Sequence, residues 1–274
     1  MAYNNFVPEF WAEKIQVENE KLLVLAPLTN RNWEGQLLEK GDAVNILGLA
    51  RPTIGDYDGG DIAEAETLED TAVKLTIDKA KYFNVIVDDI DKRQAQQSMM
   101  EDILHECNES MADTEDTDIG NIMKDGAGIT IEIEELSSDN ARKYLQEGKT
   151  QLLKNGVKNS SIICAAVTPE FLEKIEQAVE KLDTDNTAVV TNGFVGKTSG
   201  VEIYVSNNLP VDDDGEELCF LFTKRAVAHA KQVAKVEAYR PQGKFCDAVK
   251  GLSLYGSKVV RPKELVKFKI EEYV

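Results

Sequence analysis

Two alternating segments on either side of a glycine-rich tract constrain this fold more than any other feature of the sequence. Segments 41–50 and 72–77 alternate apolar and polar side chains, as strands with one apolar face do. The tract 54–61 between them is rich in glycine and aspartate, which is typical of a turn. We therefore predict an extended hairpin, continued by 81–87. Two strands alone are marginally stable, so this hairpin requires a surface to lie on.

The amino-terminal segment is amphipathic and has two interpretations. The spacing of Phe6, Phe10 and Trp11 can place them on one face of a helix. Such a helix either packs into the core of its own chain or forms an arm that packs on a neighbouring subunit. The sequence leaves both alternatives open.

A long helix is predicted from about residue 91 to residue 123, a length of about 50 Å. Asp88, Asp89 and Asp91 supply side chains for its amino-terminal cap. Its apolar stripe consists of Met100, Ile103, Leu104, Cys107 and Met111. Its other face carries Glu101, Asp102, Glu106, Glu109, Asp113, Glu115, Asp116 and Asp118. We interpret these acidic residues as a solvated helix face rather than a calcium site.

The rest of the chain mixes strands and helices without a regular βαβ order, which predicts an α+β fold. The predicted strands are 129–133, 161–167, 200–206 and 218–222, followed by closing strands from residue 234. The predicted helices begin at Ser138, at Pro169 and at Thr223, and the last of them ends near Val233.

Composition argues against several classes of function. The net charge is −18, from 49 acidic and 31 basic residues, which argues against a nucleic-acid-reading module but allows a container for DNA. The four cysteines form no CxxC pair, so we expect reduced thiols in a cytoplasmic protein without a secretory signal. The two histidines, His105 and His229, lack zinc-ligand spacing.

No motif assembles an active site. The tract that contains Gly55, Gly59 and Gly60 lacks the order of a phosphate-binding loop. The run 212–215 is a turn, because the flanking residues do not match a calcium loop. We therefore predict a protein that is not an enzyme and has no catalytic, cofactor-binding or metal-binding residues.

Five segments, taken in order, carry a resemblance to a known family. They are 6–11, 75–89, 193–196, 201–210 and 235–262, and the last contains strands and glycine turns but no catalytic chemistry. Together they resemble the major capsid proteins of tailed bacteriophages with the HK97-like fold, and among these the P22-coat-like proteins. The resemblance extends over nearly the whole chain.

The resemblance implies a division of the chain into five parts. Residues 1–35 would form an N-terminal arm, and 36–87 an extended hairpin, the E-loop, with adjoining peripheral strands. Residues 88–158 would form a peripheral domain that contains the long spine helix. Residues 159–233 would form an axial domain, and 234–274 would return to the peripheral domain.

The function implied by the resemblance is that of a virion structural protein. Such a protein self-assembles through hexameric and pentameric capsomers into an icosahedral head around double-stranded DNA, which it binds without sequence specificity. A separate scaffolding protein and a portal are the expected partners, with assembly in the host cytoplasm and no membrane association. One alternative is an encapsulin-like nanocompartment. Another is a metal-dependent cytoplasmic α+β hydrolase that uses Asp56, Asp58 and Asp61.

Contacts between subunits are expected at aromatic residues of the arm, at the hairpin tip and at a basic island in the closing segment. The candidates are Phe6, Phe10, Trp11, Arg51, Tyr57, Asp61, Arg240, Lys244, Lys250 and Arg261. The basic residues between 240 and 263 are expected to meet acidic surfaces such as the spine helix, within or between subunits.

Overall fold

The computed structural model describes residues 22–34, 42–49, 70–88, 99–158, 161–178, 194–232, 236–243 and 246–273. The α-helices are α1 (Met99–Gly126), α2 (Ala141–Lys154) and α3 (Pro169–Ala178). The strands are β1 (Ala43–Leu49), β2 (Asp70–Thr76), β3 (Lys79–Asp88), β4 (Ile129–Leu136), β5 (Ile163–Val167), β6 (Phe194–Thr198), β7 (Val201–Val205), β8 (Glu217–Thr223), β9 (Val227–Gln232), β10 (Val236–Tyr239), β11 (Cys246–Val259) and β12 (Leu265–Tyr273). Short 3-10 helices occupy Ala26–Leu28 and Pro262–Glu264. No described helix is long and apolar enough to span a membrane.

A mixed six-stranded sheet forms the centre of the described chain. Its strand order is β4-β12-β8-β5-β7-β6, with β4 parallel to β12 and β5 parallel to β7. All five residues of β5 are buried, because its alternate side chains enter hydrophobic clusters on opposite faces of the sheet. Burial on both faces explains why this strand is apolar throughout instead of alternating.

Each face of this sheet is covered by a different set of helices. Apolar residues of α2 and α3 share one cluster with Phe268 of β12 and Leu221 of β8. On the other face, Ile119 and Met123 of α1 share a cluster with Phe220 and with the apolar residues of 23–28. Residues 23–28, which belong to the predicted arm 1–35, therefore pack into the core of their own chain, while residues 1–21 lie outside the described part.

A second sheet is organised around the long strand β11. Strand β3 pairs with one edge of β11, from Cys246↔Asp88 to Tyr255↔Lys79. Strands β10 and β9 pair in succession with the other edge, β10 with the first half of β11 and β9 with the second. Helix α1 packs on this sheet as well, since the Tyr255 hydroxyl donates to Asp118.

The predicted hairpin is confirmed at its base. Strands β1 and β2 are antiparallel in a register from Ala43↔Thr76 to Leu49↔Asp70. Leu75 and Ile77 are buried against β9, so the hairpin base rests on the β11 sheet. The expectation that 81–87 continues the hairpin is wrong, because β3 pairs with β11 instead. The tip, 50–69, lies outside the described residues.

Other local predictions have mixed outcomes. The strand at 129–133, the buried strand at 161–167 and the helix that begins at Pro169 are confirmed. All four cysteines are free thiols. The helix predicted from Thr223 to Val233 is wrong, since Val227–Gln232 is the strand β9. Asp88 ends β3 opposite Cys246, and the other residues of the predicted helix cap, Asp89 and Asp91, fall on the stretch 89–98, which lies outside the described part.

Candidate functional site

One face of the β11 sheet exposes large apolar side chains. Tyr82 is 78% exposed, Ile86 48%, Leu252 42% and Tyr239 36%. The strand period puts Tyr82 and Ile86 on the same side of β3, and the register places Leu252 of β11 directly opposite Tyr82. We call Tyr82, Asn84, Ile86, Tyr239, Lys250 and Leu252 the sheet face. An apolar cluster of this kind on a monomer's surface marks an interaction site.

Polar contacts order this face. The Lys250 ammonium lies 2.8 Å from the Glu237 carboxylate and 5.4 Å from the centre of the Tyr239 ring. The Tyr239 hydroxyl donates to Asn84 Oδ1 at 3.1 Å. Lys250 was expected to meet an acidic surface such as the spine helix, but its acidic partner lies on the adjacent strand β10. The sheet face therefore combines an apolar centre with fixed polar groups, as protein interfaces do.

Beneath the opposite face of the same sheet lies a turn of α1 that carries three acidic residues. We call Glu115, Asp116 and Asp118 the helix junction. Glu115 and Asp116 are each 1% exposed, so the prediction that they lie on a solvated helix face is wrong. Buried carboxylates require hydrogen-bond partners, and each of the three has its partners on a different part of the chain.

Glu115 connects α1 to β9. Its two carboxylate oxygens lie 3.1 Å from His229 Nε2 and 2.6 Å from Lys231 Nζ. Burial raises the pKa of Glu115, but the hydrogen bonds and charges of His229 and Lys231 outweigh burial and keep the pKa below its ordinary value. Glu115 is therefore an ionised, paired carboxylate in the subunit interior.

His229 also contacts Ser257, at 2.8 Å from Nδ1 to Oγ, so Ser257, His229 and Glu115 are joined in one series of hydrogen bonds. This composition suggests a hydrolase triad, but the geometry argues otherwise. His229 and Glu115 are sealed from solvent, and Ser257 is the direct cross-strand partner of His229 in the β9–β11 pair. A substrate has no access to such a group, so we interpret the series as a structural hydrogen-bond chain.

Asp116 connects α1 to the amino-terminal segment. Its Oδ2 accepts from the Val24 N–H at 2.7 Å, and its Oδ1 accepts from Leu25 and Ala26 at 3.1 and 3.3 Å. These donors belong to the start of the first 3-10 helix, where backbone N–H groups lack internal partners. Burial raises the pKa of Asp116 to about 7, although the three N–H donors oppose that effect.

Asp118 completes the helix junction by connecting α1 to two further strands. Its Oδ2 accepts from the Tyr255 hydroxyl at 2.6 Å and lies 3.3 Å from Lys81 Nζ. Tyr255 belongs to β11 and Lys81 to β3, the two strands that form most of the sheet face. The helix junction therefore fixes the position of that face relative to α1.

The candidate contact residues from the sequence have different outcomes. Phe6, Phe10, Trp11, Arg51, Tyr57, Asp61 and Lys244 lie outside the described residues. Arg240 and Lys250 are exposed near the β10 end of the sheet, whereas Arg261 follows the far end of β11 and lies 3.0 Å from Glu264. The structure does not bring Arg261 together with the other two.

Local sequence patterns did not identify Tyr82, Ile86 and Leu252 as contact residues. A signal existed, because large apolar residues at 82 and 86 share one face of a strand whose other face also carries apolar residues. A sheet with apolar residues on both faces is expected to pack against something on each face, so the second face indicates a further contact. As for metals, no cluster of three or more histidine, cysteine, aspartate or glutamate residues suited to an ion occurs in the described ranges.

Comparisons with solved structures agree with this architecture. A structure from Mycobacterium phage Che8 is 28% identical, with a TM-score of 0.71 over 97% of this chain and 98% of that chain. The capsid of Cyanophage P-SCSP1u is 16% identical, with a TM-score of 0.70 over 92% and 87% of the two chains. The encapsulin SrpI from Synechococcus elongatus is 12% identical, with a TM-score of 0.62 over 89% and 86%. The chain matches no protein-family model, and no curated protein sequence matches it.

These likenesses define the class of the fold. The chain has the HK97-like fold found in phage capsid proteins and in encapsulin shells, as the sequence resemblance predicted. The structures compared above include a phage capsid and an encapsulin, and their likeness to this chain is one of fold.

Proposed function

We propose that this chain is a major capsid protein that self-assembles into an icosahedral phage head around double-stranded DNA. The observation that carries the proposal is the sheet face, where four large apolar side chains are exposed on a chain with the fold of shell subunits. Burying such a face against another copy removes apolar surface from water, worth about 25 cal/mol per Å². We also propose membership of the P22-coat-like group, on the sequence resemblance alone.

The assembly mechanism follows from the parts of the chain. Residues 1–35 act as an arm, 36–87 as the E-loop with adjoining strands, and 88–158 as a peripheral domain with the spine helix. Residues 159–233 form the axial domain and 234–274 return to the peripheral domain. The E-loop tip of one subunit, with Arg51, Tyr57 and Asp61, lies over a neighbouring subunit. Many modest contacts of this kind add up to a stable closed shell.

The partners proposed for this subunit are further copies of itself in hexameric and pentameric capsomers, a scaffolding protein and a portal. The packaged DNA is held without sequence-specific contacts, in keeping with the net charge of −18. Assembly takes place in the host cytoplasm and the product is the virion capsid. The chemistry is that of association, without a catalytic step.

Electron microscopy and light scattering of the purified protein test this function. We expect closed particles or ring-shaped capsomers, formed by the protein alone or after addition of the scaffolding protein. A species that stays strictly monomeric or dimeric under both conditions would contradict the proposal.

An encapsulin-like compartment is the second candidate, because an encapsulin shell shares the fold with a TM-score of 0.62. The contents of particles purified from the native source distinguish the two. Nuclease-protected double-stranded DNA supports a phage head, whereas a co-purified cargo enzyme without nucleic acid supports a compartment. Portal and terminase genes beside the coding sequence would agree with the first result.

A further inference from the structure

Three turns at the carboxyl end of α1 bring together seven basic residues. The turn between β8 and β9 contributes Lys224 and Arg225, and the end of α2 contributes Lys154 and Lys158. The end of β11 and the following 3-10 helix contribute Lys258, Arg261 and Lys263. All seven are exposed. We call this set the basic patch.

Backbone contacts fix these turns against one another. The N–H groups of Val260 and Arg261 both donate to the Ala226 carbonyl, at 2.8 and 3.1 Å. The Asn155 side-chain amide donates to the Lys263 carbonyl at 3.0 Å. The β8–β9 turn, the β11–β12 connection and the end of α2 are therefore held next to one another.

The two arginines of the basic patch are already paired within the subunit. Arg225 and Arg261 lie 3.3 and 3.0 Å from the same oxygen of Glu264. Burial raises the pKa of Glu264, but the bonds from Thr223 and Arg261 outweigh it and keep the pKa low. The five lysines, in contrast, have no acidic partner within the described ranges. The free positive charges of the patch are therefore lysine ammonium groups. Its arginines, which could bind a phosphate with two hydrogen bonds, are already paired with Glu264.

The same subunit carries an unmatched acidic row. Glu106, Glu109 and Asp113 are exposed on one side of α1 at spacings of three and four residues. Asp113 accepts from the Asn208 side chain at 2.7 Å, and none of the three forms an ion pair in the part of the chain that the structure describes. At 1.5 Å per residue, the member of the row nearest the end of α1, Asp113, lies about 20 Å before that end.

The basic patch and the acidic row form no ion pair with each other among the described residues, so both remain free to meet charges of opposite sign on another copy. Subunits with a net charge of −18 repel one another, so association needs a place where opposite charges meet. We propose that the basic patch of one subunit binds the acidic row on α1 of a second copy. This inference rests on the proposed function and names one contact of the shell.

Charge reversal and its compensation test this contact in the full-length protein. The patch variant carries Lys224→Glu and Lys263→Glu, which leave both arginines and Glu264 in place. The row variant carries Glu106→Lys and Glu109→Lys. The compensated variant carries all four changes. The control carries Lys143→Glu and Lys174→Glu, on α2 and α3, with the same change in net charge as the patch variant.

We expect the patch and row variants to lose particle formation at least about tenfold, and the compensated variant to recover it to within a few-fold of the wild type. The control should assemble as the wild type does. Thermal midpoints of the unassembled subunits should agree among all variants, because every substituted side chain is exposed except that of Lys174, which is partly exposed.

Two results would overturn the contact. One is a patch variant that assembles as well as the control. The other is a compensated variant that stays as defective as its two parents. Particles of the patch variant that form normally but retain less DNA would assign the patch to phosphate instead. A wild-type protein that forms no oligomer contradicts both proposals, whereas normal wild-type particles with unaffected variants contradict only this one.

Discussion

Two adjacent carboxylates on α1 behave in opposite ways because their partners differ. Glu115 faces a lysine ammonium and a histidine ring, and its pKa is lowered despite burial. Asp116 faces only backbone N–H dipoles and the charge of Glu115, so burial dominates and its pKa rises to about 7. A full opposite charge therefore offsets desolvation here, whereas three dipoles offset it only in part.

Removing the charge of Asp116 should change how stability depends on pH. Its pKa is 3.8 when unfolded and about 7 in the folded subunit, so the folded state binds an extra proton between these values. The free energy of unfolding therefore falls by up to about 4 kcal/mol as pH rises from 3.8 to about 7, and it changes little above that. In Asp116→Asn this loss should disappear. Urea unfolding of the unassembled subunit at pH 5 and pH 8 measures it. An equal wild-type-to-variant difference at both pH values would contradict it.

Removing Glu115 should be strongly destabilising. Glu115→Ala leaves His229 and Lys231 without their buried acidic partner, and breaking such a pair costs about 3–5 kcal/mol. Glu109→Ala, at an exposed position of the same helix without an ion-pair partner in the described structure, is the matched control and should change stability by about 0.5 kcal/mol or less. Chemical denaturation of both variants at pH 7 gives the comparison. Similar unfolding midpoints would show that the pair contributes little.

At the scale of elements, a glycine permits the hairpin to rest on the long strand. A Cβ atom at Gly256 of β11 would collide with the Thr76 backbone carbonyl at the end of β2. Main-chain atoms cannot move aside as a flexible side chain can. The close approach of β2 and β11 therefore depends on the missing side chain at this position.

Gly256→Ala should loosen the hairpin from the sheet. We expect the free energy of unfolding to fall by about 1–3 kcal/mol, the range typical of overpacking in a well-packed region. We also expect amide hydrogen exchange to become faster than in the wild type in β1 and β2 but not in β8, because only the hairpin base loses its support. Ser253→Ala on the same strand is the control. It removes a buried hydroxyl that has no hydrogen-bond partner in the described structure and should be neutral or slightly stabilising. Unchanged exchange in the hairpin would refute this role for Gly256.

At the scale of the whole molecule, the subunit has a stable interior and an apolar surface beyond what its own fold requires. The two cores on either side of the six-stranded sheet hold most of the buried apolar residues of the described chain, and a smaller cluster lies under the hairpin base. The sheet face adds nothing to either core, and its large side chains remain in water. We therefore expect its substitutions to separate assembly from folding.

Polar substitution of the sheet face should reduce assembly and spare the subunit. Tyr82→Ser with Leu252→Ser alters two cross-strand neighbours that are 78% and 42% exposed. Unfolding free energy should change by less than about 1 kcal/mol, while each lost interface anchor weakens association by about 2 kcal/mol. Light scattering of equal subunit concentrations measures assembly. Val211→Ser, at an exposed apolar position outside the face, is the control. Equal assembly of both variants would remove the sheet face from the interface.

Local sequence patterns predicted several elements correctly because the conformation of those segments is set by residues within the segment itself. The apolar run of β5 and the proline that opens α3 are examples. The prediction failed at 227–232, where the alanines favoured a helix by propensity, yet pairing with β11 made the segment a strand. It failed also at the sheet face, since the exposure of these side chains depends on how distant elements pack, which a local pattern does not contain.

The sequence by itself therefore determined the class of this protein: an α+β chain with an extended hairpin, a long helix and the order of segments found in HK97-like shells. Those features rest on short-range periodicity and on segment order. Only the tertiary structure decided that Glu115 and Asp116 are buried. Their partners lie as far as 116 residues away, and nothing in the local acidic pattern distinguishes them from their exposed neighbours. A carboxylate can be buried only where the fold places hydrogen-bond donors around it. The donors to Glu115 and Asp116 come from distant segments, so they depend on the tertiary structure.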